Sequence, residues 1–166
     1  MGIIDVILAF PGLIFAMAML AIWGSSIEKM ILILGVIGIP FYSRLMKASV
    51  LRVKEMEYIS SAKVSGAKNR RILFRHILPN SFEPILISIS FDIGRLIISI
   101  SILSFLGFSD FRIILWGEHI INANIWQAPW VSFWPSVAII TTALGFMLLG
   151  DGLRDTLDPR YQYKSL

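Results

Sequence analysis

The sequence predicts an all-α fold, a polytopic transmembrane helical bundle of about four spans with short helices outside the bilayer. Composition is the first reason. Hydrophobic residues make up 56% of the 166 positions and charged residues only 16%, and the mean hydropathy is +0.75, which leaves too little polar surface for a water-soluble domain of this length. Distribution is the second. No charged residue occurs from Val6 to Ile27 or from Ile120 to Gly150, and a helix needs only about 20 apolar residues to cross the hydrocarbon core. The third is the placement of the basic residues, which crowd into one stretch between apolar runs.

Taken in order, the first span is expected from about Ile4 to Trp23 and the second from about Ile27 to Lys47, its basic end able to snorkel outward. The third begins near Pro79 or Ser81 and ends near Leu106, and the fourth runs from about Trp134 to Gly150. Asp5, the lack of a basic lead-in and the Pro11-Gly12 break argue against a secretory signal. With no cysteine, the chain offers no disulfide, thiolate ligand or cysteine nucleophile.

Orientation follows from Lys and Arg. Arg44 to Arg75 holds nine, and the tail adds Arg154, Arg160 and Lys164, whereas the connections on the opposite side hold only Lys29 and Arg112. Positive charge marks the cytoplasmic side, so both termini and the central segment are expected inside the cell. All five tryptophans, Trp23, Trp116, Trp126, Trp130 and Trp134, then fall at the outer side, where indoles favour the membrane interface. The net charge of +4 therefore belongs to membrane topology, and no nucleic-acid partner is expected.

The central segment reads LRVKEMEYISSAKVSGAKNRRILFRHILPNSFEP. Val53 to Ser65 is helix-permissive, with Glu55 and Glu57 early and Lys63 late, the order a helix dipole favours. Val53, Met56, Tyr58, Ile59, Ala62 and Val64 form an incomplete amphipathic stripe. Gly66 suits a left-handed corner, Asn69 to Ile77 a second helix, and Pro79 a break where the chain re-enters the membrane. Two readings stand side by side: a basic loop on anionic lipid headgroups, or a compact knob whose small residues Ser60, Ser61, Ala62, Ser65, Gly66 and Ala67 let another protein approach closely.

This segment resembles the cytoplasmic signature loop of ABC-importer permeases, and more narrowly the C-type permease of the dipeptide/oligopeptide (and nickel) import group. That pattern has a Glu-Ala-Ala triplet, a glycine four positions after its last alanine, and a Leu-Pro pair; Ser60-Ser61-Ala62, Gly66 and Leu78-Pro79 occupy those positions. The likeness continues in IIDVILAFPGL, FDIGRLIISISILSFLGF, APWVSFWPS and LLGDGLRDTLDPR. It implies one permease domain over residues 1–166 in a plasma or inner membrane, with residues 49–78 a cytoplasmic coupling loop. It further implies that Glu57, Tyr58, Ser60, Ser61, Ala62 and Gly66 meet a separate ATP-binding subunit. A second permease subunit forming a heterodimer, an extracytoplasmic solute-binding protein and membrane lipid complete the implied partners. The expected cofactors are none, ATP being bound and hydrolysed by partner subunits, and the chain is not expected to be an enzyme. Where the triplet has glutamate this chain has Ser60, and Glu57 one turn earlier is a candidate substitute. Relatives have two further spans ahead of the region matching Ile3, so the chain is expected to correspond to the C-terminal part of such a permease. Peptides lead as substrate; nickel, oligosaccharides, and a channel or non-transporting scaffold remain as alternatives.

Asp92 and Arg95, at i and i+3 inside the third span, can pair on one helix face. They read either as a pore-lining pair on the translocation path or as mutual neutralisation near an interface. Gly12, Gly35, Gly38 and Pro40 suit close helix approach or kinks. His76 and His119 lack carboxylates at helical ligand spacing, so no metal site is expected. The stretch from Ile113 to Pro129 is expected outside, either as surface for a binding protein or as a partly buried loop. The tail from Gly150 is expected to form a short helix beyond the last span, with Leu153, Thr156 and Leu157 packing back. No G-x-x-x-x-G-K-[ST] or H-E-x-x-H occurs, which excludes a nucleotide-binding loop and that zinc-protease motif.

Overall fold

A computed structural model describes residues 10–123 and 128–157. The expected all-α membrane fold is found: three helices, Ile27–Lys54, Asn69–Phe105 and Pro129–Leu157, are long and apolar enough to cross a bilayer. Of the first expected span, the described part is the apolar helix α1, Gly12–Trp23; positions 4–9 lie outside the described residues. Among the described residues the only β-type pairing is the isolated bridge between Asp110 and Ile113.

Pro11 precedes α1 and its carbonyl accepts the Phe15 N–H, a role that needs no N–H from proline. Gly24, at φ 80, ends the helix. Helix α2 (Ile27–Lys54) runs seven residues beyond the expected Lys47, because Ala48 to Lys54 contains no breaker and Arg52 and Lys54 complement the dipole of its last turn. After a turn at Glu55 and Met56 comes α3 (Glu57–Val64). The next helix is continuous from Asn69 to Phe105. It comprises α4 (Asn69–Ile72), a π-helical turn (Leu73–Ile77), α5 (Leu78–Ser81) and α6 (Glu83–Phe105).

Pro79 therefore does not break the chain as expected. The wider π-turn just before it relieves the clash a proline ring makes with the preceding turn, and Pro79 sits at the start of α5. Asn80 Nδ2 donates to the His76 carbonyl at 2.7 Å and Ser81 Oγ to that of Ile77 at 2.7 Å. Both side chains donate to carbonyls one turn back, adding bonds to the helix around the proline.

Helix α7 (Trp116–Asn122) is short, and α8 (Pro129–Leu157) extends the fourth expected span at both ends. The expected separate tail helix is instead the end of α8. Gly150 and Gly152 are helical, since glycine weakens a helix without ending it. Leu153, Thr156 and Leu157 are exposed, against the expectation that they pack back.

The described residues fall into two compact units. The first unites those up to Pro40 with those of Ser90–Leu149, and its core is Ala16, Leu20, Met30, Ile33, Leu34 and Leu103. Close backbone approach shapes it at three glycines. A Cβ on Gly12 would meet Ile37 at 3.0 Å, one on Gly94 the Ala143 carbonyl at 2.8 Å, and one on Gly117 the Ser101 carbonyl at 2.0 Å. A Cβ on Gly35 would meet nothing within 4 Å among the described residues, so no close helix approach is seen there. The second unit unites Phe41–Ile89 with the described residues from Gly150 on, and its core is Val53, Ile59, Ile72 and Ile77.

Candidate coupling surface and charged pocket

Helix α3 is anchored by one side chain. Ile59 is fully buried against Val53, Ile72 and Ile77, with Val50, Ala62 and Ala67 around them. The expected stripe is thus divided: Val53 and Ile59 face inward and Ala62 is half-buried, whereas Met56, Tyr58 and Val64 are exposed, Val64 to 91%.

The end of α3 is a Schellman corner. Ala67 N–H donates to the Ala62 carbonyl at 3.1 Å and Gly66 N–H to that of Lys63 at 3.0 Å, with Gly66 at φ 77. Within the helix Ser61 Oγ donates to the Glu57 carbonyl at 3.1 Å, and Ser65 Oγ to that of Ser61 at 2.9 Å. Glu57, Ser60, Ser61 and Gly66 are all exposed, so the residues singled out in the sequence share one small element, with Ala62 at its edge. Sequence reading missed the link at Tyr58. Asn80 Nδ2, already bonded to His76, also donates to the Tyr58 hydroxyl at 3.3 Å.

Asp92 and Arg95 pair as their spacing predicts, Arg95 Nη2 lying 2.9 Å from Asp92 Oδ1. The two differ in exposure: the Arg95 side chain is 62% exposed and that of Asp92 16%. Arg95 lines a pocket of about 410 Å³ with Gly12, Leu13, Leu34, Ile37 and Ser99 among its walls. A charge near the bilayer centre costs at least about 2.5 kcal/mol if it faces lipid, so an exposed guanidinium near the middle of α6 belongs against a partner or water.

A second charged group was not legible in sequence. In the loop after α6, Asp110 is buried, its side chain 4% exposed. Its Oδ2 accepts the Ile27 N–H at 3.0 Å, at the start of α2, and its Oδ1 accepts the Arg112 backbone N–H at 3.0 Å. Arg112 donates through Nε to Asp110 Oδ1 at 3.1 Å and through Nη2 to Asp110 Oδ2 at 2.9 Å and Glu28 Oε2 at 2.7 Å. The Arg112 side chain, with the N–H groups of Ile27 and Arg112, holds the Asp110 carboxyl well below the usual carboxylate range. The same hydrogen bonds, first to Asp110 and then to Glu28, raise the guanidinium pKa further above its ordinary value. Lys29 Nζ donates to the carbonyls of Trp23 and of Gly24, the latter at 3.2 Å. Both basic residues assigned to the outer side are therefore engaged. The spacing of Asp110 and Arg112 hints at a turn, but nothing local points to Glu28.

Of the outer stretch, Trp116–Asn122 forms α7, with Gly117 buried; Asn124, Trp126 and Gln127 lie outside the described residues. Trp23, Trp116, Trp130 and Trp134 are exposed.

Comparison with known proteins gives one family, described as binding-protein-dependent transport system inner membrane component, which matches residues 1–163. A dipeptide transport system permease protein of Alkalihalophilus pseudofirmus is 38% identical over 161 residues, 95% of this chain and 53% of that protein. Glutathione transport system permease proteins of Pectobacterium atrosepticum and Salmonella typhimurium are 43% and 42% identical over 163 residues, 96% of this chain and 54% of theirs. The chain thus spans about half the length of the curated relatives it matches.

Proposed function

The chain belongs to the family of inner membrane components of binding-protein-dependent transport systems, and on that premise we propose that it is a multi-pass permease subunit of an ATP-driven importer for dipeptides or oligopeptides. The observation that carries this reading is α3, an amphipathic helix whose Ile59 is held in a small core while Tyr58, Ser60, Ser61 and Val64 face outward. Small and apolar side chains on a rigid corner suit insertion into a groove of another subunit. The partner is an ATP-binding subunit that supplies all nucleotide chemistry, so this chain needs no cofactor of its own. Glu57, Tyr58, Ser60, Ser61, Ala62 and Gly66 form the contact, with Glu57 taking the polar role of the glutamate that Ser60 replaces.

A second permease subunit and an extracytoplasmic solute-binding protein complete the assembly, and Asp92 and Arg95 lie on the translocation path. Both termini and α3 face the cytoplasm, in keeping with nine basic residues between Arg44 and Arg75. A peptide substrate is supported by relatives named for dipeptide and glutathione transport. The test is affinity purification of the tagged chain from membranes. The unmodified chain should bring down a nucleotide-hydrolysing subunit, and Val64→Asp, at a position that touches no core, should lose it. Equal recovery by both would remove α3 as the contact, and no such subunit with either would remove the importer reading.

A further inference from the structure

We propose that the Arg95 guanidinium is a docking point for the terminal carboxylate of a peptide in transit, and that the pocket it lines is a way-station on the path. The inference rests on the permease reading and deepens it by giving the substrate a chemical handle. Four observations on one unit carry it. The pocket, about 410 Å³, falls within the roughly 300–1,000 Å³ of small-ligand sites. Its walls are apolar except for Ser99 and Arg95, so Arg95 is the one charged group among them. Asp92 engages Nη2 of Arg95, which fixes the fork while its other donors remain for a second acceptor. The side chain is 62% exposed in spite of that pairing.

A guanidinium shared between two carboxylates is a geometry this chain already uses: Arg112 holds Asp110 and Glu28 together, at 2.9 Å and 2.7 Å. In the pocket the second carboxylate is supplied by the peptide. Arginine suits the task because its planar fork meets a carboxylate through two parallel hydrogen bonds, whereas lysine offers only a point charge. Asp92 sets the limit on affinity. It partly offsets the positive charge, so the peptide is held weakly enough to leave, as a transport path requires.

The chain has no cysteine, so Ser99→Cys puts a single thiol into the pocket. The full chain, assembled with its co-purifying subunits in membranes, is labelled with an anionic (sulfonatoethyl) or a cationic (aminoethyl) methanethiosulfonate. The anionic reagent should react faster, and adding Arg95→Gln should lower the anionic-to-cationic rate ratio about tenfold, the lower end of what a focused charge does to local ion concentration. N-acetyl-alanyl-alanine should slow the labelling and its C-terminal amide should not. Arg95→Lys should keep the rate ratio and lose part of the protection. Labelling indifferent to reagent charge, equal protection by acid and amide, or no labelling of a variant that still assembles would each overturn the proposal. Failure of the unmodified chain to recover an ATPase would strike the permease reading instead.

Discussion

Replacing Gly66 isolates the backbone contribution to the corner that closes α3. A Cβ built there meets nothing within 4 Å, yet φ is +77, so alanine adds no clash with neighbours and pays only for its left-handed conformation. That cost is about 1–2 kcal/mol for an L-residue with a Cβ, or a factor of roughly 5–30 in the ratio of closed to open corner. Asparagine, whose side chain bonds locally and tolerates the region, should cost less. Lys63 and Lys68 flank the corner and are exposed, which makes limited trypsin digestion the assay. When opening and closing are fast, cleavage follows the open population. Gly66→Ala should therefore be cut about 5–30 times faster than the unmodified chain, with Gly66→Asn between them. Equal rates for alanine and glycine, or asparagine worse than alanine, would show that the Schellman hydrogen bonds do not hold this corner.

Two other outcomes follow from particular contacts. Gly117→Ala puts a Cβ 2.0 Å from the Ser101 carbonyl and 2.9 Å from the Phe105 nitrogen; backbone cannot swing aside, so the thermal midpoint in detergent should fall by the equivalent of about 1–3 kcal/mol of overpacking. Gly35→Ala, with open space around it, should be neutral or slightly stabilising, and equal losses at both sites would contradict the packing of α7. The Asp110 clasp should be indifferent to pH between about 5 and 8. A carboxylate whose folded pKa is depressed contributes fully above its unfolded value of about 3.9 and loses that contribution as pH falls through the lower folded one. Hydrogen exchange over Gly107–Leu115, corrected for intrinsic rates, should show flat protection across that range and faster exchange in Asp110→Asn at neutral pH; a change between pH 5 and 8 would assign the clasp to another group.

Length and charge made the membrane helices legible, because both are carried by the chain without reference to its fold. The Gly66 corner was legible for a similar reason: a glycine following a short helical run has few other uses. Helix ends were less so. Lys47 and Gly150 mark where apolar character stops, but a helix stops where its hydrogen bonds do, and Arg52, Lys54 and Arg154 extend two helices past that point. Pro79 misled because the remedy, a π-turn just before it, depends on backbone register that composition does not encode. The clasp was hidden by distance: Glu28 and Arg112 are 84 residues apart, and no periodicity joins them. Asp92 and Arg95 were found because a helix brings i and i+3 together wherever it lies.

The region around Pro79 joins two features that the sequence presents separately. Proline gives no N–H to the turn before it, and Asn80 Nδ2 donates to the His76 carbonyl in that turn. The same amide also reaches the Tyr58 hydroxyl, so a side chain bonded to the π-turn is also tied to the exposed face of α3. Ile59 also fixes α3, in a core with Val53, with Ile72 just before the π-turn and with Ile77, its last residue. Helix α3 is therefore held by apolar contact with Val53, Ile72 and Ile77 and through Asn80, whose amide bonds both Tyr58 and the His76 carbonyl of the π-turn.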